Sequence, residues 1–208
     1  LMPHPENLID PLVGGTDGLP PVAGEIERLP APGFRADPRP TLLERAEEGW
    51  LTGLEVRWLT AWLARLAPAA LAPRSVHFLH GDVQWANVMA SFDPLRYEAL
   101  IDWGCASLGD VACDFAGLPL RAVPHMLAGY REVAVPDGDD TIEARIVWRH
   151  LQIVLQLLPR GAVPGRSWAE RPIPMLLEIM RFFADPPDER WRAVGPAPFV
   201  GRGGADYA

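Results

Sequence analysis

The stretch that decides the fold lies near the middle of the chain and reads Leu79-His80-Gly81-Asp82-Val83-Gln84-Trp85-Ala86-Asn87-Val88-Met89. The run Val76–His80 alternates in the manner of a short strand, and a second strand-like run covers Asn87–Ala90. A carboxylate, Asp82, and a carboxamide, Asn87, therefore lie five residues apart on the loop between two predicted strands. Rigid strand ends hold side chains in fixed positions, which favours a functional site here.

A third polar residue follows after a predicted hairpin. Tyr97–Ile101 is another strand-like run, Asp93-Pro94 supplies the turn before it, and Asp102 comes at its end. We expect the hairpin to return the chain so that Asp102 faces Asp82 and Asn87. Phosphoryl transfer requires a carboxylate within reach of an acceptor hydroxyl, together with oxygen ligands for the Mg²⁺ that bridges nucleotide phosphates.

A third block completes the pattern and reads Gly109-Asp110-Val111-Ala112-Cys113-Asp114-Phe115-Ala116. The second block, Leu100-Ile101-Asp102-Trp103-Gly104, lies between it and the first. In this order and spacing the three blocks resemble those of the aminoglycoside phosphotransferase and choline kinase superfamily, whose members are distant relatives of the protein kinases. Four fixed positions in the first block alone make a chance match rare, and two further blocks make it negligible.

The resemblance implies a role for each of the three polar residues. Asp82 is expected to be the catalytic base or the group that orients the acceptor hydroxyl. Asn87 and Asp102 are expected to bind the cofactors by ligating Mg²⁺, with ATP as the phosphoryl donor. The implied partners are thus a nucleotide and a small-molecule hydroxyl acceptor.

The remaining polar residues of the three blocks are expected to support the site. By the same resemblance, His80 is mainly structural, while Asp110 and Asp114 brace the catalytic loop from outside it. A metal-dependent hydrolase that uses His80, Asp82 and Asp102 is a minor alternative, because it needs a second histidine at ligand spacing.

The predicted fold is α+β: a protein-kinase-like C-terminal lobe, mostly helical, with a small β-hairpin element that carries the catalytic loop. Residues 1–40 are rich in Pro and Gly and are expected to form a connector. Residues 41–184 are expected to form the phosphotransferase C-lobe. Residues 185–208 are again rich in Pro and Gly and are expected to be a loose tail.

Helical periodicity accounts for most of the predicted lobe. Thr41 and Glu44 form a capping-box pattern, followed by a helix to about Ala67 that is intact or broken near Gly49 and Gly53. Further helices are predicted over about 110–118, over about 124–133, after the turn at 137–140, and over about 174–184.

Composition limits the classes of partner. The chain has 208 residues and a formal net charge of −8, with no basic stripe to neutralise nucleic-acid phosphates. No apolar run is long enough to predict a membrane span. The two cysteines, without a signal peptide, predict a reducing cytoplasmic location. Cys105 adjoins the predicted metal site and is expected to be buried and inert.

All 19 basic residues are Arg, so the chain has no Lys to pair with nucleotide phosphates as the N-terminal lobe of a complete kinase does. Either a fragment of a longer kinase or a C-lobe-only protein would explain this, and the fragment is favoured. We therefore expect a small-molecule kinase whose activity as this chain alone is weak or absent. The alternative is a truncated or pseudo-phosphotransferase lobe with a binding or scaffold role.

The acceptor is open between an aminoglycoside-like antibiotic, which would imply antibiotic resistance, and a metabolite such as choline. Acidic residues around 137–143 could meet a cationic acceptor, but a solvated turn and helix start explain them more simply. The choice of ATP over GTP and the oligomeric state are not determined by the sequence.

Overall fold

The computed structural model describes residues 37–72, 76–134, 139–161 and 172–198. Within these ranges the protein is mostly helical and contains two small antiparallel sheets, which confirms the coarse fold prediction. Most of the predicted connector, residues 1–36, lies outside the described residues, and the predicted boundary at residue 40 stays a prediction.

The first two helices are separated at the predicted break. Helix α1 (Arg39–Glu47) has Pro38 as its N-cap, so the predicted capping box at Thr41 is wrong. Proline is tolerated in the first helical turn, which lets the helix begin before Thr41. A capping box does precede helix α2 (Gly53–Leu71), where Glu55 accepts the backbone N–H of Thr52 and Thr52 Oγ1 accepts the backbone N–H of Leu54.

Helix α2 continues past its predicted end near Ala67, because Pro68 is accommodated inside it. Strand β1 (His77–Leu79) follows, and strands β2 (Val88–Phe92) and β3 (Leu95–Leu100) form the predicted hairpin around Asp93-Pro94. The hairpin is irregular between Met89 and Ala90, where one residue of β3 is unmatched.

Strand β4 (Ser107–Gly109) pairs with β1, with Phe78 opposite Leu108. Because β1 pairs with β4, residues 80–106 form one long loop between these two strands. This loop contains the hairpin and all three predicted site residues. The helix predicted over 110–118 is wrong. Asp110 caps only a three-residue 3₁₀ turn, Val111–Cys113, before the chain bends away.

Helix α3 (Val123–Val133) and the long helix α4 (Ile142–Leu157) follow as predicted. Helix α4 is the centre of the molecule and is buried on nearly every face, including the polar residues Glu143, Arg145 and His150. Its apolar side chains share one core with α1, α2 and the C-terminal helices, and that core includes Leu42, Leu59, Trp62, Leu63, Leu66, Ile146, Val147, Leu151, Val154, Leu155, Met175, Ile179 and Trp191. Each fully buried large apolar side chain contributes about 1.5–3 kcal/mol.

Helices α5 (Pro172–Ala184) and α6 (Glu189–Val194) complete the described fold. The prediction of a loose tail from residue 185 is wrong for residues 185–198, because Trp191 of α6 is fully buried in the core. Residues 199–208 of that predicted tail lie outside the described residues.

Three side chains of α2 hold the backbone that follows the start of α6. Trp58 Nε1, Trp62 Nε1 and Arg65 Nη2 donate to the carbonyl oxygens of Ala197, Val194 and Ala193, at 3.1, 2.8 and 2.9 Å. We call residues 193–197 the C-terminal segment. Among the residues that the structure describes, no helix combines the length and apolar character needed to cross a membrane.

Candidate functional site

One carboxylate fixes the backbone of the loop that follows β1. Asp114 accepts the backbone N–H of His80 on Oδ2 at 2.9 Å and that of Gly81 on Oδ1 at 2.8 Å. Burial raises the pKa of the Asp114 carboxyl, and these two N–H groups oppose the effect of burial. Asp114 therefore fixes the backbone immediately before Asp82, which agrees with the bracing role expected for it.

Gly81 is required at its position for two reasons. Its φ of 84° lies in the left-handed region, and a Cβ there would overlap the carbonyl oxygen of Cys105. The backbones at residues 81 and 105, near the two ends of the loop between β1 and β4, are thus in contact.

His80 joins the loop to the end of β3. Its Nδ1 accepts the backbone N–H of Asp82 at 3.2 Å, so Nε2 carries the proton and donates to the carbonyl oxygen of Ile101 at 2.9 Å. The ring also packs edge-on against Trp103, with centroids 4.6 Å apart. Both ring nitrogens are engaged with backbone, as expected for a structural histidine.

Asp82 and Asn87 are in direct contact. Asn87 Nδ2 donates to the carbonyl oxygen of Asp82 at 2.8 Å and to Asp82 Oδ2 at 3.2 Å. A residue that the sequence analysis did not single out, Gln84, donates from Nε2 to the same Oδ2 at 2.8 Å. Asn87 is buried and Asp82 is half-buried, so this contact is partly shielded from solvent.

Asp102 is joined to the loop through its neighbour. The backbone N–H of Ile101 donates to the carbonyl oxygen of Asn87 at 2.8 Å, while Trp103 packs face to face on Phe78 of β1. Asp102 itself has φ 65° and ψ 66°. A non-glycine residue in this region costs about 1–3 kcal/mol, and such residues concentrate at functional sites.

The oxygen atoms suit a hard divalent cation. Asn87 turns its Nδ2 towards Asp82, which leaves Oδ1 as a free acceptor, and the Asp102 carboxylate has no hydrogen-bond partner within the described ranges. Carboxylate and amide oxygens of this kind are ligands that Mg²⁺ accepts alongside waters and substrate phosphates. In the described part of the chain, no three His, Cys, Asp or Glu side chains form a group that could hold a metal.

A buried ion-pair network is centred on Arg145 of α4. Asp110 accepts the N–H of Ala112 at 3.0 Å and receives Arg145 of α4 through Nε and Nη2, at 2.6 and 3.0 Å. Arg145 also donates to both carboxylate oxygens of Asp139, at 2.8 and 2.7 Å, and to Thr141 Oγ1 at 2.8 Å. All five guanidinium N–H groups are thereby used.

Two acidic residues near the start of α4 are engaged in ion pairs within the fold. Burial raises the pKa of the Asp139 carboxyl, but hydrogen bonds and charge from Arg145 outweigh burial and hold that pKa well below its usual range. Glu143 accepts a hydrogen bond from Arg131 at 2.8 Å. Asp140 is exposed, and position 137 lies outside the described residues. Ion pairs within the fold, rather than a cationic ligand, therefore explain Asp139 and Glu143.

The cysteines and remaining histidines do not join the site's polar contacts. Cys105 is exposed, so the expectation that it is buried is wrong; its 3₁₀ turn lies at the surface. Burial raises the pKa of the Cys113 thiol far above its usual range, which makes that thiol unreactive. His150 is fully buried between the carbonyl oxygens of Ile146 and Leu118.

Sequence reasoning missed Gln84 and Arg145. Gln84 had a detectable signal, since it lies two residues after Asp82 on the same loop. Arg145 had none, because its partner Asp110 is 35 residues away along the chain.

Comparison with known proteins identifies the family of the chain. The model of the phosphotransferase enzyme family called APH matches residues 15–152, a span that contains Asp82, Asn87, Asp102, Asp114 and Arg145. The match covers more than half of the chain, and the protein belongs to this family. No curated protein and no solved structure matches the chain.

Proposed function

We propose that the chain transfers the γ-phosphoryl group of ATP to a hydroxyl of a small molecule, on a protein-kinase-like C-terminal lobe. One observation carries the proposal. Asn87 is hydrogen-bonded to Asp82 through its side chain and to Ile101, the residue before Asp102, through its carbonyl oxygen, while Asn87 Oδ1 and the Asp102 carboxylate are left available. The acceptor classes we propose are aminoglycoside-like antibiotics and small hydroxylated metabolites.

Asp82 acts on the acceptor in this proposal. Its Oδ2 is occupied by two amide donors, and Oδ1 accepts the hydrogen bond of the acceptor hydroxyl. The hydroxyl oxygen forms a bond to the γ-phosphorus as the bond from that phosphorus to the bridging oxygen breaks. ADP leaves with the electron pair, and the hydroxyl proton passes to Oδ1. A positioned general base contributes about 10²–10⁴-fold to rate.

Asn87 and Asp102 are the residues that would hold magnesium. Bound Mg²⁺ neutralises charge on the nucleotide phosphates. These two residues would supply part of the oxygen ligands of the ion, and waters and substrate phosphates would supply the rest. The bond from Ile101 to Asn87 fixes the spacing of the two ligands without using either side-chain oxygen.

The hydrolase alternative loses support at His80. Both of its ring nitrogens are bonded to backbone, so neither lone pair nor proton is available for a metal or a water. Asp82 is also turned towards Asn87 and Gln84 rather than towards a histidine.

The proposal is tested by ATP turnover with Mg²⁺ across a panel of aminoglycosides, choline and sugar alcohols. We expect slow ADP release that depends on one acceptor class, because the chain has no Lys to pair with the nucleotide phosphates, and a loss of about a hundredfold or more in kcat for Asp82→Asn. Asp93→Asn, at the exposed hairpin turn, is the matched control and should keep full activity. Absence of acceptor-dependent turnover while Mg·ATP still binds would refute the kinase and favour a binding lobe.

A further inference from the structure

Gln84 makes two contacts that converge on the candidate catalytic pair. Its side-chain Nε2 donates to Asp82 Oδ2 at 2.8 Å, and its backbone carbonyl accepts the N–H of Asn87 at 3.0 Å. The second contact closes the 3₁₀ turn Trp85–Asn87, for which Gln84 is the N-cap with extended backbone. One residue thus sets the position of Asn87 through its backbone and touches Asp82 through its side chain.

The two amides on Asp82 are unequal. Asn87 Nδ2 is nearer to the backbone carbonyl of Asp82, at 2.8 Å, than to Oδ2, at 3.2 Å. Its contribution to orienting the carboxylate is therefore secondary. The 2.8 Å bond from Gln84 is the shorter contact to Oδ2, and hydrogen bonds to a charged acceptor are stronger than neutral ones.

We propose that Gln84 is a positioning residue that fixes the rotation of the Asp82 carboxylate and so directs Oδ1 at the acceptor. The inference rests on the proposed function for its kinetic consequence. The geometric part of the inference, that the Gln84 amide orients Asp82, does not depend on the proposed function. Without the Gln84 donor the carboxylate can rotate about its terminal bond, and misorientation of a reacting group lowers the rate without weakening binding.

A simple loop-closing role is the competing interpretation, because hydrogen bonds between residues two apart are common in turns. The backbone of Gln84 already closes the turn by accepting from Asn87, and this bond survives any side-chain substitution. Side-chain variants therefore separate positioning of Asp82 from closure of the loop.

The kinetic test uses variants of similar size. Gln84→Met removes the donor, Gln84→Glu replaces it with a repelling carboxylate, and Gln84→Lys restores a donor. We expect kcat to fall about tenfold or more for Met, further for Glu, and to recover in part for Lys, with KM for the acceptor and for Mg·ATP within about twofold. Gln156→Met, on an exposed position of α4, is the control and should leave kcat unchanged.

Two kinetic results would overturn the inference. One is a kcat within about twofold of the wild type for both Met and Glu. The other is a raised Mg²⁺ requirement with little change in kcat, which would mean that the side chain acts on Asn87 instead of Asp82.

A measurement without turnover keeps the inference separate from the proposed function. The chain has three glutamines, Gln84, Gln152 and Gln156, so the side-chain NH₂ signals of Gln84 in a ¹⁵N correlation spectrum are assigned by their loss in Gln84→Met. Asp82→Asn should shift these signals and leave those of the other two unchanged. If they shift in a chain that phosphorylates nothing, the proposed function fails and the orienting contact stands. If the wild type is active and they stay unmoved, the inference fails alone.

Discussion

Arg145→Met is the sharpest test of how the fold supports the site. The substitution keeps much of the side-chain volume but removes the guanidinium that joins Asp110 and Asp139. Arg145 is 4% exposed, and its five donors all have partners, so nothing replaces them when they are lost. The carboxylates of Asp110 and Asp139 then lose the cation that they share.

The magnitude follows from burial. Removing one partner of a buried ion pair costs about 3–5 kcal/mol, because the other charge stays desolvated and unpaired. Total unfolding free energies are about 5–15 kcal/mol, so the variant is expected to lose a large fraction of its stability. The exposed pair of Arg192 and Glu189 provides the matched control, and Arg192→Met should change stability by less than about 0.5 kcal/mol.

Urea unfolding followed by tryptophan fluorescence measures both variants, with the midpoint compared at a constant slope. A loss below about 1 kcal/mol for Arg145→Met would refute the reasoning, since exposed pairs already reach that value.

The pH dependence of the same experiment has a definite sign. Burial raises the pKa of Asp139, but Arg145 outweighs it and holds the pKa below the ordinary 3.8. A depressed carboxyl pKa contributes stability that is fully present above that ordinary value and is lost as the pH falls below it. The difference in unfolding free energy between wild type and Arg145→Met should therefore be largest near pH 7 and shrink as the pH falls towards and below 3.8. A difference that widens in acid would contradict the pairing.

Two further substitutions test the loop and the C-terminal segment. Gly81→Ala should lower the free energy of unfolding by about 2 kcal/mol or more in urea, because Ala is strained at a left-handed φ and its Cβ would overlap the Cys105 carbonyl. Gly129→Ala, at an open position on α3, is the control and should raise the free energy of unfolding by about 0.5–1 kcal/mol. Trp62→Phe should cost about 1–3 kcal/mol and speed hydrogen exchange in residues 193–197, because it leaves the Val194 carbonyl without its donor; unchanged exchange there would contradict the assigned bond.

Local signals in the sequence predicted a large part of the fold. Asp93-Pro94 between two alternating runs gave the hairpin, and Gly49 and Gly53 gave the break between α1 and α2. The capping-box pattern occurs at both Thr41 and Thr52, and only the one at Thr52 caps a helix. Pro38 starts α1 early and removes the need for a cap at Thr41.

Contacts between distant residues were beyond sequence reasoning. The pairing of β1 with β4 spans about 30 residues, and although alternation predicts β1, the three-residue strand β4 carries no pattern of its own. Asp82 and Asn87 were expected on one loop and do touch, since five residues on a short loop leave little choice. The buried Trp191 was missed because prolines around it indicated a tail, whereas burial of one indole outweighs that local tendency.

The hydrogen bonds from α2 to the C-terminal segment use carbonyl oxygens alone. Every residue type supplies a carbonyl, and proline lacks only the N–H, which these three bonds do not require. Pro196 and Pro198 are thus compatible with a segment that is held in place. Over evolutionary time, the side chains of residues 193 and 197 are free to drift, and the constraint falls on the donors Trp58, Trp62 and Arg65.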